Sequence, residues 1–215
     1  MKEKMQRKLR IGLTLFTAFV VWTILVRFVD VQPVGPQESV VGLASCNRFF
    51  HTLTGVHMTL YGITDWLSLI PIAFIMGFAL LGLIQWIKRK HLLKVDRSIL
   101  MLGVFYIVVL AAYILFEFVV INYRPVLING ILEPSYPSST TMLVTCVMLT
   151  AIPQFNTQIK NRICRKCVSF LIIFFTGFMV IGRLISGVHW ITDIIGGILL
   201  STGLVLLYDY FNMKS

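Results

Sequence analysis

The chain has 215 residues, 57% of them hydrophobic and 13% charged, with a formal net charge of +10. So much apolar and so little charged residue excludes a soluble domain or a disordered chain and points to a protein that crosses a membrane repeatedly. The cations lie in connections between apolar runs, which makes the surplus a topology signal and excludes nucleic acid as the partner it serves.

Lys2, Lys4, Arg7, Lys8 and Arg10 precede the first apolar run, about 11–29. That run is too long for a signal-peptide core and no small-x-small cleavage site follows, so the sequence predicts a retained first helix. Arg27 and Asp30 are expected at its outer end. The segment 30–62 opens on turn-prone Pro33, Gly35 and Pro36, then carries Phe49, Phe50, Leu53, Val56 and Tyr61. Those residues predict a short helix lying in the membrane interface, with breaks at Gly55 and Gly62. Further apolar runs follow at about 63–87, 98–122, 138–155, 168–186 and 190–209. Each is long enough, or nearly so, for a helix to span a hydrocarbon core of about 30 Å, the run at 138–155 being the shortest.

The expected fold is therefore all-α: one domain over residues 1–215, a polytopic bundle of six transmembrane helices. Lys88, Arg89, Lys90, Lys94 and Arg97 fill the second connection, Lys160, Arg162, Arg165 and Lys166 the fourth, and Lys214 follows the last span. Six spans put all of these on one side, so both termini are predicted to be cytoplasmic. Only Arg27, Arg48, Arg124 and Arg183 are left for the other side. Cys164 and Cys167 form a lone CxxC with no second pair to complete a zinc site, and inert reduced thiols are the expectation. No metal and no cofactor is predicted.

Three outer segments carry the chemistry. Gly182 to Asp193 places Arg183, His189 and Asp193 between two apolar runs, where ionisable groups are costly. His189 and Asp193 are four apart and share a helix face, so the carboxylate can hold the imidazole in one tautomer for nucleophilic or base chemistry. Arg183 offers a planar fork of donors suited to phosphate. Asn122-Tyr123-Arg124-Pro125 adds a second arginine. Tyr136-Pro137-Ser138-Ser139-Thr140 opens a helix, whose first N–H groups form a natural anion site. His51 and His57 lie in the long outer segment, from which either is able to fold over the site, and His91 falls in a basic cytoplasmic connection.

At these residues the chain resembles the type 2 phosphatidic acid phosphatase (PAP2) superfamily, relatives of vanadium haloperoxidases. That family carries Lys-x6-Arg-Pro, Pro-Ser-Gly-His and Ser-Arg-x5-His-x3-Asp motifs. Arg124-Pro125 match the end of the first and Pro137-Ser138 the start of the second; Arg183, His189 and Asp193 match the third at full spacing. Two positions depart. Glu117 stands where the family has its phosphate-binding lysine, and Thr140 where it has its second histidine. Ser139 replaces the motif glycine, and Gly182 the serine before the arginine.

The resemblance implies a bacterial-type plasma-membrane enzyme with its site on the extracytoplasmic face. His189 would attack phosphorus, oriented by Asp193, to form a phosphohistidine. Arg124, Arg183, Ser138, Ser139 and Thr140 would hold the phosphate oxygens. Its substrate would be a lipid phosphate or pyrophosphate drawn from the membrane, with no metal involved. The missing histidine is the family's proton donor to the leaving group, a role worth about 10²–10⁴-fold. An alkoxide leaving group needs that proton far more than a phosphate does, so activity is expected to favour lipid pyrophosphates. Glu117 is a candidate substitute acid or a partner for an arginine, and His57 a second candidate acid. The competing expectations are a non-catalytic phospholipid-binding or transport protein and a lipid phosphotransferase. The sequence predicts no oligomeric state.

Overall fold

The computed structural model describes residues 2–214. Within them the chain forms eight α-helices: α1 (Lys2–Phe28), α2 (Ala44–Thr54), α3 (Met58–Leu67), α4 (Leu69–Arg89), α5 (Arg97–Phe118), α6 (Ser139–Gln158), α7 (Arg162–Ile185) and α8 (Ile191–Lys214). Five stretches are long and apolar enough to cross a membrane: α1, α3 continued by α4, α5, α7 and α8 to Met213. The chain is an integral membrane protein.

The expected fourth span, 138–155, forms α6 but is not among those five. The physical reason is its setting. Thr140, Thr141, Thr145, Thr150 and Gln154 are all buried, together with Val144, Cys146, Val147 and Ala151. A helix wrapped by α4, α5, α7 and α8 meets protein rather than lipid over most of its surface. Its hydroxyls can then turn inward, as Thr150 does by donating to the Cys146 carbonyl at 2.7 Å, and hydropathy no longer marks it as a span.

The interfacial segment comes out shorter than its sequence pattern. α2 ends before Gly55, as expected, but Gly62 lies inside α3 and breaks nothing. Phe49 and Leu53, one turn apart on α2, are both exposed, which suits a helix resting in the interface. Asp30 starts α2: its carbonyl accepts the Ala44 N–H and its Oδ2 the Ser45 N–H. These hydrogen bonds hold the Asp30 carboxyl below its usual range.

Tyr136 is the pin of the core. It stacks on Phe19 of α1 at 6.3 Å, meets Phe116 of α5 edge-on at 6.0 Å and shares a 2.7 Å hydrogen bond with Thr23. A Cβ on Gly196 would lie 2.7 Å from the tyrosine ring, so α8 passes only because that residue has no side chain. Each such aromatic pair adds roughly 0.5–1.5 kcal/mol beyond its buried area. Their effect on architecture is to fix the backbone just before Pro137 against three helices. α1 and α8 run antiparallel, and Lys8 and Asp209 pair at the far end.

Candidate functional site

The C-terminal ends of α1, α5 and α7 and the N-terminal ends of α6 and α8 come together at one end of the bundle. Arg124, Thr140, Arg183, His189 and Asp193 meet there. The α7–α8 connection, Ser186 to Trp190, is a tight turn. Gly187 has φ +69, and a Cβ on it would sit 1.9 Å from the Gly55 carbonyl oxygen, so only glycine lets the α2–α3 elbow seat here. The His57 N–H donates to the Ser186 carbonyl at 3.0 Å and ties elbow to turn.

Asp193 is the third residue of α8, and its Oδ2 accepts the Trp190 N–H at 2.9 Å, the reach-back of a capping box. The same oxygen lies 3.6 Å from His189 Nδ1. That is contact but too long for a hydrogen bond. Both Nδ1 of His189 and Oδ1 of Asp193 are buried without a hydrogen-bond partner.

The other ring nitrogen decides the tautomer. Arg124 Nη1 donates to His189 Nε2 at 3.2 Å. A guanidinium has no acceptor, so Nε2 presents its lone pair and Nδ1 carries the proton facing Asp193. Burial pushes the His189 pKa well below its usual range, and the positive charges of Arg124 and Arg183 push the same way. The imidazole is therefore neutral, with Nε2 directed at the Arg124 guanidinium.

Arg183 is almost wholly buried near the end of α7. Its Nη2 donates to Thr140 Oγ1 at 2.7 Å and to Asp65 Oδ1 at 3.0 Å, and its guanidinium lies 4.8 Å from the centre of the Tyr61 ring. Its Nε and Nη1 are buried with no partner. Unpaired buried donors are costly unless something accepts from them. Arg124 Nε donates to Glu133 at 2.9 Å, leaving Nη1 for the histidine and, at 3.5 Å, the Val188 carbonyl.

Ser138 caps α6 weakly, its Oγ accepting the Thr141 N–H at 3.5 Å, while its own N–H donates to the Asp193 carbonyl at 3.0 Å. Ser139 begins the helix beside it. Glu117 is exposed near the end of α5, and both arginines take other carboxylates, Glu133 and Asp65. His57 is exposed at the start of α3 and donates Nε2 to the Thr54 carbonyl at 2.9 Å. His51 donates to the Gly187 carbonyl at 3.2 Å and packs on Trp190. Both outer histidines thus hold turns behind the site.

Sequence reasoning missed Glu133. An Asn129-Gly130 pair in left-handed conformations folds the chain back between Ile128 and Ile131, and Arg124 N–H then donates to the Glu133 carbonyl at 3.0 Å. Asn-Gly between apolar residues is a strong hairpin signal and was legible. A buried amide cluster had no such signal. Asn47 donates to Thr192 Oγ1 at 3.0 Å and accepts the Thr192 N–H at 3.3 Å, while Asn122 accepts the Gly42 N–H at 3.1 Å. It binds the outer segment to the first turn of α8.

Comparison with known proteins gives a consistent picture. The PAP2 superfamily model matches residues 105–215, which contain all three motif segments. The fold is similar to the crystal structure of the first transmembrane PAP2 type phosphatidylglycerolphosphate phosphatase from Bacillus subtilis. That similarity has a TM-score of 0.58 at 18% sequence identity and covers 94% of this chain and 96% of that one. No curated protein matches the chain by sequence.

Proposed function

The chain belongs to the PAP2 superfamily, and we propose that it hydrolyses a phosphate ester or anhydride of a membrane lipid through a phosphohistidine at His189. The observations that carry this reading are the lone pair of His189 Nε2, held by Arg124 Nη1, and the two unpartnered donors of buried Arg183, which together define the proposed phosphate pocket. A phosphoryl group entering there would take over the donors of both arginines. In-line attack by Nε2 would expel the lipid-bound leaving group, and the arginines would stabilise charge on the three equatorial oxygens. The ring gains positive charge as the N–P bond forms, and Asp193, 3.6 Å from Nδ1, is positioned to offset it. Such contacts commonly shorten only when substrate is bound.

A lipid tail has a place beside this pocket. An apolar crevice of about 500 Å³ runs between α4, α5 and α6, reaching Thr140 and Ser139 at one end and Ile75 and Tyr106 at the other. A substrate with its head group at Arg183 would lay its tail there. The phosphatase relative, which acts on a lipid phosphate by its title, supports the same substrate class. With Thr140 in place of a proton donor, the favoured substrates are lipid pyrophosphates, whose leaving phosphate needs no proton. Counting α6 as a protein-lined span beside the five, the proposed topology has the basic connections in the cytoplasm and the site on the extracytoplasmic face.

The test is phosphate release from a panel of lipid mono- and diphosphates by wild type and His189→Ala. Wild type is expected to release phosphate, fastest from the diphosphates, and the variant to lose on the order of 10⁴-fold or more. Binding without release from any lipid would replace this reading with a lipid-binding or transport role. Transfer of phosphate to an added alcohol in preference to water would make the protein a phosphotransferase.

A further inference from the structure

We propose that Asp65 is the base, reaching the site from α3, that activates water to free phosphorylated His189. The inference rests on the phosphatase reading. Asp65 Oδ1 and Thr140 Oγ1 each lie one hydrogen-bond length from the same nitrogen, Arg183 Nη2. The carboxylate therefore borders the position that the second motif gives to histidine.

Local structure delivers it there. Tyr61 and Asp65 are four apart on α3, hence on one face, and both meet the Arg183 guanidinium. The same helix packs on α7 at Gly182, where an added Cβ would lie 2.8 Å from Thr64 Cγ2 and 3.9 Å from Leu60 Cδ1. A serine at that position would force Thr64 to shift. Two departures from the family motifs thus act together: glycine at 182 admits α3, and a small threonine at 140 leaves room in front of its carboxylate. The acid–base candidates that the sequence offered are engaged elsewhere or lie outside. His51 and His57 donate to turn carbonyls, and Glu117 pairs with neither arginine.

Exposure favours a base over a structural ion pair. The Asp65 side chain is 56% exposed, whereas that of Arg183 is 3% exposed. One end of the pair is sealed in the site and the other opens to solvent, as a group that passes protons out must do. Asp65 Oδ1 already accepts from Arg183 Nη2, and the step assigned to it is hydrolysis of the intermediate, which needs a proton acceptor, and not protonation of an alkoxide.

The step balances. A water oxygen forms a bond to phosphorus as the P–Nε2 bond breaks, and that electron pair returns to His189 Nε2. One water proton passes to the Asp65 carboxylate and then to bulk solvent. Inorganic phosphate and neutral His189 are the products. The first step, with lipid monophosphate leaving unprotonated, does not involve Asp65.

The experiment uses full-length protein and an isoprenoid diphosphate radiolabelled in its terminal phosphate, comparing wild type with Asp65→Asn. Asparagine keeps an oxygen for Arg183 but cannot take a proton. The variant is expected to release lipid monophosphate in a burst of about one per enzyme, to retain base-stable label on the protein, and to lose about 10²–10⁴-fold in turnover. Asp65→Glu is expected to recover part of that loss, and an unchanged melting temperature to confirm folding. Turnover within about threefold of wild type, or lost turnover without a burst or trapped label, overturns the role of Asp65 and leaves the phosphatase reading intact. No phosphate release by wild type from any lipid overturns that reading, and this inference with it.

Discussion

The two sides of the Arg183 guanidinium are built differently. Toward α8, Trp190 and Thr192 are each held by two hydrogen bonds. Trp190 donates its N–H to Asp193 and its indole to Tyr123, His51 donates to Gly187, and Asn47 grips Thr192 through both its N–H and its hydroxyl. Toward α6, Thr140 contributes a hydroxyl to Arg183, and beyond it the apolar crevice begins. A nucleophile must be held in one place and orientation before it reacts. The leaving-group side must instead admit a lipid. On the proposed phosphatase reading, the contrast corresponds to strict attack on phosphorus and relaxed chemistry of departure.

That contrast can be broken at Arg183 first. Arg183→Lys keeps the charge but removes the fork that reaches Thr140, Asp65 and the pocket together. A loss on the order of 10²–10³-fold in kcat is expected, comparable to removing one donor to transition-state charge. Vanadate, as a phosphate mimic, should bind the variant more weakly. A kcat within tenfold of wild type would mean that the nucleophile side works without Arg183.

Changing the α6 side should alter selectivity more than rate. Thr140→His restores the second-motif histidine and with it a proton donor. Cleavage of lipid monophosphates should rise by about tenfold or more relative to lipid diphosphates, toward the lower end of general-acid effects. An unchanged ratio would show that the leaving group is not what limits this site.

The smallest expected effect is on the pH profile. Burial, Arg124 and Arg183 all lower the His189 pKa, so the free enzyme keeps its nucleophile neutral on the acid side of an ordinary histidine. The acid limb of kcat/KM should lie below pH ~6.5. Arg124→Gln removes one cation, favours the imidazolium, and should move that limb to higher pH. A limb that stays in place, or moves to lower pH, would separate His189 from the electrostatics described for it.

The third motif was legible because its residues are close in sequence. One turn and the first helical residues after it hold Arg183, His189 and Asp193 within reach, so spacing implied geometry. Arg124 was legible as an arginine on the outer side, but its carboxylate partner was not assigned, although Asn129-Gly130 signalled the reversal that returns Glu133. The partner of Arg183 was not identified in the sequence, where Glu117 was the candidate and Asp65 takes the place in the structure. The direction of α3 decided it, and that depends on packing against Gly182. α6 was recognised as a helix from its apolar run, while its protein-lined surroundings depended on neighbours far away in the chain.

Composition and the placement of cations determined by themselves that this is a membrane protein made of helices, because apolar length and charge position are properties of the chain alone. Motif spacing nominated His189 as the proposed nucleophile, with Arg183 and Asp193 in the same segment. Tertiary structure decided which nitrogen of His189 meets Arg124, which carboxylates hold the arginines, and that α6 is wrapped by protein. Each of these depends on groups from different helices meeting within hydrogen-bond or van der Waals distance, and no periodicity along one segment records such a meeting.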